Sequence, residues 1–319
     1  MKRRTVLGAG LGVGAALWAG GTMPAWSAGR GQLRAGDLAA ARHLFTAGEY
    51  SRLHQVLPAL LAAAHEAGAA GPVKAGRAAG VWVLSSQLAV KQGAMEAAGD
   101  FAGQASAAAR SSGDPMLLAA AARAAATPLR RTGRADQALH LLRQAHDHLT
   151  AGPRPSAATL DAAGMVALTA AYTAAQAHLP SPADEFVALA EQTAVCLAHH
   201  NSPPRGELSA QQCALYRIGM HRELGDIDRA LAYAAALDPA ALPTPERRAR
   251  AATDTARALL AADDAPAAFT QLQLVEEAAP QEVRRPSVRA VTEAVAALRP
   301  DLPGIAAFTR RTAASRPST

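Results

Sequence analysis

The chain has 319 residues, a formal charge of +6 and a pI near 9.9, and half of it is hydrophobic although only 4% is aromatic. Its apolar share is mostly alanine, the best helix former and one that adds little volume, and the β-branched and aromatic residues of strands are scarce, which excludes a sheet protein. A charged fraction of 18% with regularly recurring leucines argues against disorder, and two cysteines in a chain this long exclude a disulfide framework.

Lys2, Arg3 and Arg4 open the chain, and no further charge follows until Arg30. Between them lie the Gly-rich apolar run from Val6 to Ala19 and the small residues around Ala25-Trp26-Ser27-Ala28. That is the layout of an export signal. Arg3 and Arg4 before Thr5-Val6-Leu7 look like a twin-arginine signal, with cleavage after Ser27 placing Ala25 at the usual small position. Residues 1–28 are therefore expected to direct export. Three other readings compete. The uncharged gap from Thr5 to Gly29 could stay as a membrane anchor, the chain's only expected membrane contact. Gly10-x-Gly12-x-x-Ala15 matches a dinucleotide fingerprint, but no strand-rich sequence surrounds it. The third reading is a plain cytoplasmic segment.

From Asp37 onward one cue recurs: an apolar helix, a short turn with Gly or Asp, then a second helix opening on a small residue. It reads Thr46-Ala47-Gly48-Glu49-Tyr50, Lys91-Gln92-Gly93-Ala94-Met95, Arg131-Thr132-Gly133-Arg134-Ala135, Leu224-Gly225-Asp226-Ile227 and Ala262-Asp263-Asp264-Ala265. Pro180, after His178-Leu179, fills the gap between Gly133 and Gly225, and the markers are then 45, 40, 47, 45 and 38 residues apart. Ala98, Ala138 and Ala230 each follow a marker glycine by five positions, where the second helix must nestle against the first. Leu139, Leu142, Ala145 and Leu149 run down one helical face, and Leu231, Ala234 and Leu237 are expected to do the same. Links rich in turn residues separate the hairpins, and Thr244-Pro245-Glu246 reads as an N-cap with proline at the first helical position. The reading is a stack of helical hairpins over 37–300, followed by a C-terminal helix and basic tail over 301–319.

Gly-x-x-x-x-Ala at hairpin turns is similar to the tetratricopeptide repeat, in a long-helix form that lacks most of its aromatic positions. The strings Gly225-Asp226-Ile227-Asp228-Arg229-Ala230-Leu231, Leu237 to Arg250 and Ala279-Pro280-Gln281-Glu282-Val283-Arg284 resemble the C-terminal repeat region of actinobacterial XRE-type helix-turn-helix regulators. The resemblance implies an all-α fold, a right-handed superhelical stack of about six helical hairpins. The regulators' helix-turn-helix is not expected here, because about thirty-six residues precede the first hairpin and those are signal-like, so DNA binding does not carry over. Some of these regulators hold an arginine-pair apolar segment between two cytoplasmic domains, which keeps the cytoplasmic reading of residues 1–28 open.

Catalytic motifs are not found. Cys196, His199, His200 and Cys213 lack the paired short spacings of a structural zinc site and read better as helix residues. Pairing of Cys196 with Cys213 is a further, weaker reading. His140, His146 and His148 are six and two apart, so they do not share a helix face. His65-Glu66 has no second histidine at the zinc-protease position, and neither a Gly-x-Ser-x-Gly turn nor a phosphate loop occurs. No cofactor, metal or enzyme activity is expected. The arginine pairs at 130–131, 247–248, 284–285 and 310–311 are spread along the chain, without aromatic platforms, so direct nucleic-acid binding is not expected.

A stack of hairpins exposes the larger side chains of its first helices on a concave face. Trp82, Gln87, Arg123, Tyr172, Gln176, Tyr216, Arg217 and His221 are the candidates for that face, with core filling as the other reading of Trp82 and Tyr172. Two functions follow. One is a non-catalytic scaffold that binds a protein or peptide in a regulatory role, favoured by a groove lined with Arg, Gln and Tyr. The other is the sensory domain of a regulator that binds a small signal molecule, favoured by a closed superhelix with an apolar central pocket.

Overall fold

The computed structural model describes residues 33–67, 71–152, 154–199 and 206–313, and within them it holds α-helices and no strand. Arg3 and Arg4, with the whole signal-like segment 1–28, lie outside the described residues. The first seven helices are α1 (Ala35–Thr46), α2 (Tyr50–Ala67), α3 (Pro72–Gln92), α4 (Met95–Ser112), α5 (Pro115–Arg131), α6 (Ala135–Thr150) and α7 (Ala157–Gln176). The next seven are α8 (Pro180–Ala198), α9 (Ala210–Glu223), α10 (Ile227–Ala236), α11 (Pro245–Ala261), α12 (Ala265–Ala278), α13 (Pro286–Leu298) and α14 (Ile305–Thr312). Single 3-10 turns at Pro239–Ala241 and Glu282–Arg284 precede α11 and α13.

The turns obey one rule. Gly48, Gly93, Gly133 and Gly225 have φ between 75° and 82°, and His178 and Asp263 take the same left-handed conformation at 55° and 60°. In each case the next residue's N–H donates to the carbonyl five residues back, from Glu49 to Leu44 through Asp264 to Leu259, at 2.8–3.0 Å. This is a Schellman closure of the preceding helix. The true marker in the fourth turn is thus His178, two residues before the proline that reads as the cue in sequence. Five positions after each of these residues stand Leu53, Ala98, Ala138, Ala183, Ala230 and Ala268, all with no exposed surface. The register of turn and buried small residue is therefore kept six times, with leucine once in place of alanine.

N-caps add to the local code. Asp114, Ser156, Ser209, Asp226, Thr244 and Asp264 each accept a backbone N–H in the first turn of the following helix, worth about 1 kcal/mol apiece. Leu139, Leu142, Ala145 and Leu149 are all buried, as their spacing requires. Leu231 and Ala234 are only half-buried, because α10 ends at Ala236 ahead of the Asp238-Pro239 break and its stripe is cut short.

Each helix packs on its neighbour in sequence. The odd-numbered helices also pack on one another, α1 on α3, α3 on α5, and so on to α13, and α11 touches α1. The odd helices therefore form a layer whose two ends meet. One continuous core runs from Leu33 to Met220, a second from Ala249 to Phe308, and a small cluster of Leu215, Ile218, Leu237, Leu242 and Ala251 links them. No described helix is long and apolar enough to cross a membrane.

The meeting of the ends is polar. Ser51 donates from its N–H and its Oγ to Gln281 Oε1, at 2.8 and 3.0 Å. Tyr50 Oη donates to Glu282, and Lys91 Nζ bridges Glu246 and, at 2.7 Å, Glu282. Gly48 permits this approach: a Cβ there would stand 2.9 Å from that of Ala279. Burial alone would raise the carboxyls of Glu246 and Glu282. Lys91, with Arg247 beside Glu246 and Arg285 beside Glu282, outweighs it and holds both well below the ordinary carboxylate range.

Candidate functional site

The layer of odd helices surrounds a cavity of about 230 Å³. Lys91 of α3, Arg123, Arg130 and Arg131 of α5, Arg247, Arg250 and Arg257 of α11, and Arg285 before α13 line it, with Glu246 and Asp254 as the lining carboxylates. Glu207 and Glu282 reach the same arginines from the side. Eight cationic groups thus stand against four carboxylates.

Each group is placed by the fold. On α11, Arg247, Arg250, Asp254 and Arg257 fall at three- and four-residue steps, so one helical face carries them all. Arg257 donates to Asp254 at 3.0 Å and to the Ser287 carbonyl at 3.2 Å. Arg247 donates to Glu207 at 2.9 Å, and Arg123 stands 3.8 Å from the same carboxylate. Glu207 reaches inward because Asp161 of α7 accepts the Leu208 N–H at 2.7 Å, strapping the segment before α9 to the layer. Burial would raise the Glu207 carboxyl, but Arg247 and Arg123 hold it low.

Tyr172 of α7 and Tyr216 of α9 meet edge to face, their centroids 6.5 Å apart. Arg130 lies 5.1 Å over Tyr172, and Arg250 lies 4.3 Å over Tyr216 and 5.8 Å over Tyr172. Gly219, one turn after Tyr216, makes room: a Cβ there would fall 2.7 Å from the Tyr172 ring. Tyr172 Oη donates to Glu223 at 3.0 Å, and burial with Asp254 and Glu223 nearby pushes its pKa up. Tyr216 behaves oppositely. Burial would raise it too, but Arg250, Arg247 and Arg123 overcome that and bring the hydroxyl down to about 7, with Arg250 donating to it. Two ring neighbours of like chemistry are driven apart by the charges that face them.

The eight residues singled out in sequence divide. Gln87, Arg123, Tyr172 and Tyr216 come together on the cavity wall. Gln176 lies beside it, donating to Glu223 at 3.0 Å. Trp82 is 4% exposed and sits in the core, stacked on Phe101 and edge-on to His65. Arg217 and His221 share the opposite face of α9. Arg217 grips Glu191 through two hydrogen bonds of 2.6 and 2.8 Å, and His221 stacks on Tyr233 at 5.4 Å.

Sequence reading passed over Lys91, Arg130, Arg247, Arg250 and Arg285 as sites. The arginine pairs are spread in sequence, but the meeting of the ends brings Arg130, Arg247 and Arg285 to one cavity. The spacing on α11 was the available signal. Cys196 is exposed on α8 and Cys213 buried on α9, and the two form no disulfide with each other. Burial pushes the Cys213 thiol up to about 12. No group of histidine, cysteine and carboxylate side chains able to hold a metal occurs among the described residues.

No model of a known protein family matches the chain, and no curated protein matches its sequence.

Proposed function

We propose that the chain is a non-catalytic binding module, a TPR-like solenoid of about six helical hairpins in a right-handed superhelix closed on itself, whose interior receives the acidic group of a ligand. The supporting observation is the excess of cations over carboxylates around one partly open cavity. Such a field raises the local concentration of anions and discriminates against cations. A small signal molecule suits a volume of about 230 Å³, which is below the usual range of ligand pockets. This favours the sensory reading over the extended-groove one. A protein or peptide that inserts one acidic side chain is the second reading, supported by the Arg, Gln and Tyr lining. The twin-arginine reading of Arg3 and Arg4 belongs to the proposal: an exported binding protein, tested by comparing the compartment of the wild type with Arg3→Lys/Arg4→Lys.

The binding claim is tested by thermal denaturation of the full chain at constant ionic strength with succinate, inorganic phosphate, a short oligoglutamate and neutral or cationic controls. A ligand specific to the folded state raises Tm with concentration. Acidic compounds are expected to raise it and the controls not, with the response weakened by Arg123→Gln. Equal responses to acidic and neutral compounds would contradict the proposal.

A further inference from the structure

Resting on the acidic-ligand reading, we infer that the interior is a site for a compact phosphate-type dianion, free or as a small phosphomonoester, gripped by arginines from α5 and α11 against the Tyr172–Tyr216 wall.

Three observations on the cavity carry this. The first is direction. Guanidinium forks reach the cavity from α5, from α11 and from the start of α13. A planar carboxylate is filled by one fork, whereas a tetrahedral oxyanion presents acceptor oxygens to several sides at once. The second is charge. With four more cations than carboxylates, a dianion relieves the repulsion among the arginines more than a monoanion does. The third is shape. The volume of about 230 Å³ suits a small ligand, and the two tyrosine rings give an ester substituent an apolar surface.

Tyr216 provides a reporter. Facing it are Tyr172 from α7, Arg123 and Arg130 from α5, and Glu246, Arg247, Arg250 and Asp254 from α11, with Glu207 from the segment before α9. On the far side of α9, Glu191 of α8 is engaged by Arg217, and Asp226, at the start of α10, stands 3.8 Å from His221. The arginines that would hold the dianion are the ones that lower the pKa of the Tyr216 hydroxyl. A dianion arriving at the same arginines competes with the phenolate form, so ligand binding returns a proton to Tyr216 and raises its pKa from about 7.

The test uses the full chain, inorganic phosphate, phenyl phosphate and succinate, followed by calorimetry at fixed ionic strength with chloride as the balancing salt. Phosphate against phenyl phosphate distinguishes the free from the esterified source. Binding of either is expected to weaken ~10-fold or more in Arg250→Gln and Arg123→Gln, with helical circular dichroism showing that both variants fold. The phenolate absorbance near pH 8, lost in Tyr216→Phe, is expected to fall as the site saturates. Succinate binding without either phosphate overturns this inference and leaves the acidic-ligand reading standing. Failure of all three to bind beyond chloride overturns both. Folded arginine variants that bind as tightly as the wild type overturn the placement of the site.

Discussion

The molecule joins its parts by two kinds of seam. Between consecutive helices the seam is small and apolar: Ala98, Ala138, Ala183, Ala230 and Ala268 are fully buried at the same register after each turn. Where the ends of the layer meet, the seam is charged: Lys91 bridges Glu246 and Glu282, and Tyr50 and Arg285 complete the cluster. The first kind is local, cheap to specify and repeated. The second joins residues 155 and 191 positions apart and occurs at one place. A buried ion pair contributes little net stability against an apolar replacement, yet removing one partner is severe. The charged seam thus ties the ends in one arrangement, and the interior depends on that arrangement.

The sharpest break in this contrast is Lys91→Met. It leaves Glu246 and Glu282 buried beside each other without their shared cation, and is expected to cost about 3–5 kcal/mol in denaturant unfolding. A loss below about 1 kcal/mol would show that the seam is not formed.

Acid gives a graded form of the same break. Glu246 and Glu282 have folded pKa values depressed below the ordinary glutamate value of about 4.3. The unfolded chain therefore takes up protons first, and the stabilisation, complete above about pH 4.3, is lost as pH falls through the lowered folded values. Tm of the wild type is expected to fall over that acidic range, and that of Glu282→Gln to fall less. Parallel curves would show that the carboxylates do not carry the dependence.

The apolar seams break by size instead. Ala138→Leu forces a larger side chain into a position with no exposed surface, and is expected to cost about 1–3 kcal/mol. Ala151→Leu, at an exposed position, should change stability by less than about 0.5 kcal/mol. Equal effects at the two positions would deny that small size matters at the seam. A smaller loss than at Ala138 is expected for Asp226→Ala, which removes the cap on α10 for about 1 kcal/mol, read in the same unfolding experiment.

Much of the apolar architecture was legible. The glycine cue and the alanine five residues on mark turns that the structure closes in one way, because both signals arise within a few residues of each other. The register even survives where glycine is absent, at His178 and Asp263, which adopt the left-handed conformation themselves. Pro180 opens the helix two residues after His178, the position that takes the left-handed conformation. Of the residues singled out in sequence, Gln87, Arg123, Tyr172 and Tyr216 lie on the cavity wall. Arg217 and His221 share a helix with Tyr216, but residues one and five positions along point away from it. The spacing on α11 marks Arg250 as part of one helical face, but Lys91 and Arg285 join it only through a long-range closure that no local pattern encodes. The Arg, Gln and Tyr lining that would mark a groove occurs here around a cavity, and the apolar lining that would mark the sensory reading does not.

A double-mutant cycle between Lys91 and Glu282 tests the central claim, that the two ends of the helix layer are joined through buried charge to enclose the interior. Lys91→Met, Glu282→Gln and the double variant are compared with the wild type by equilibrium unfolding. The account predicts a coupling energy of about 1–3 kcal/mol across residues 191 positions apart. Additive effects within about 0.5 kcal/mol would contradict it.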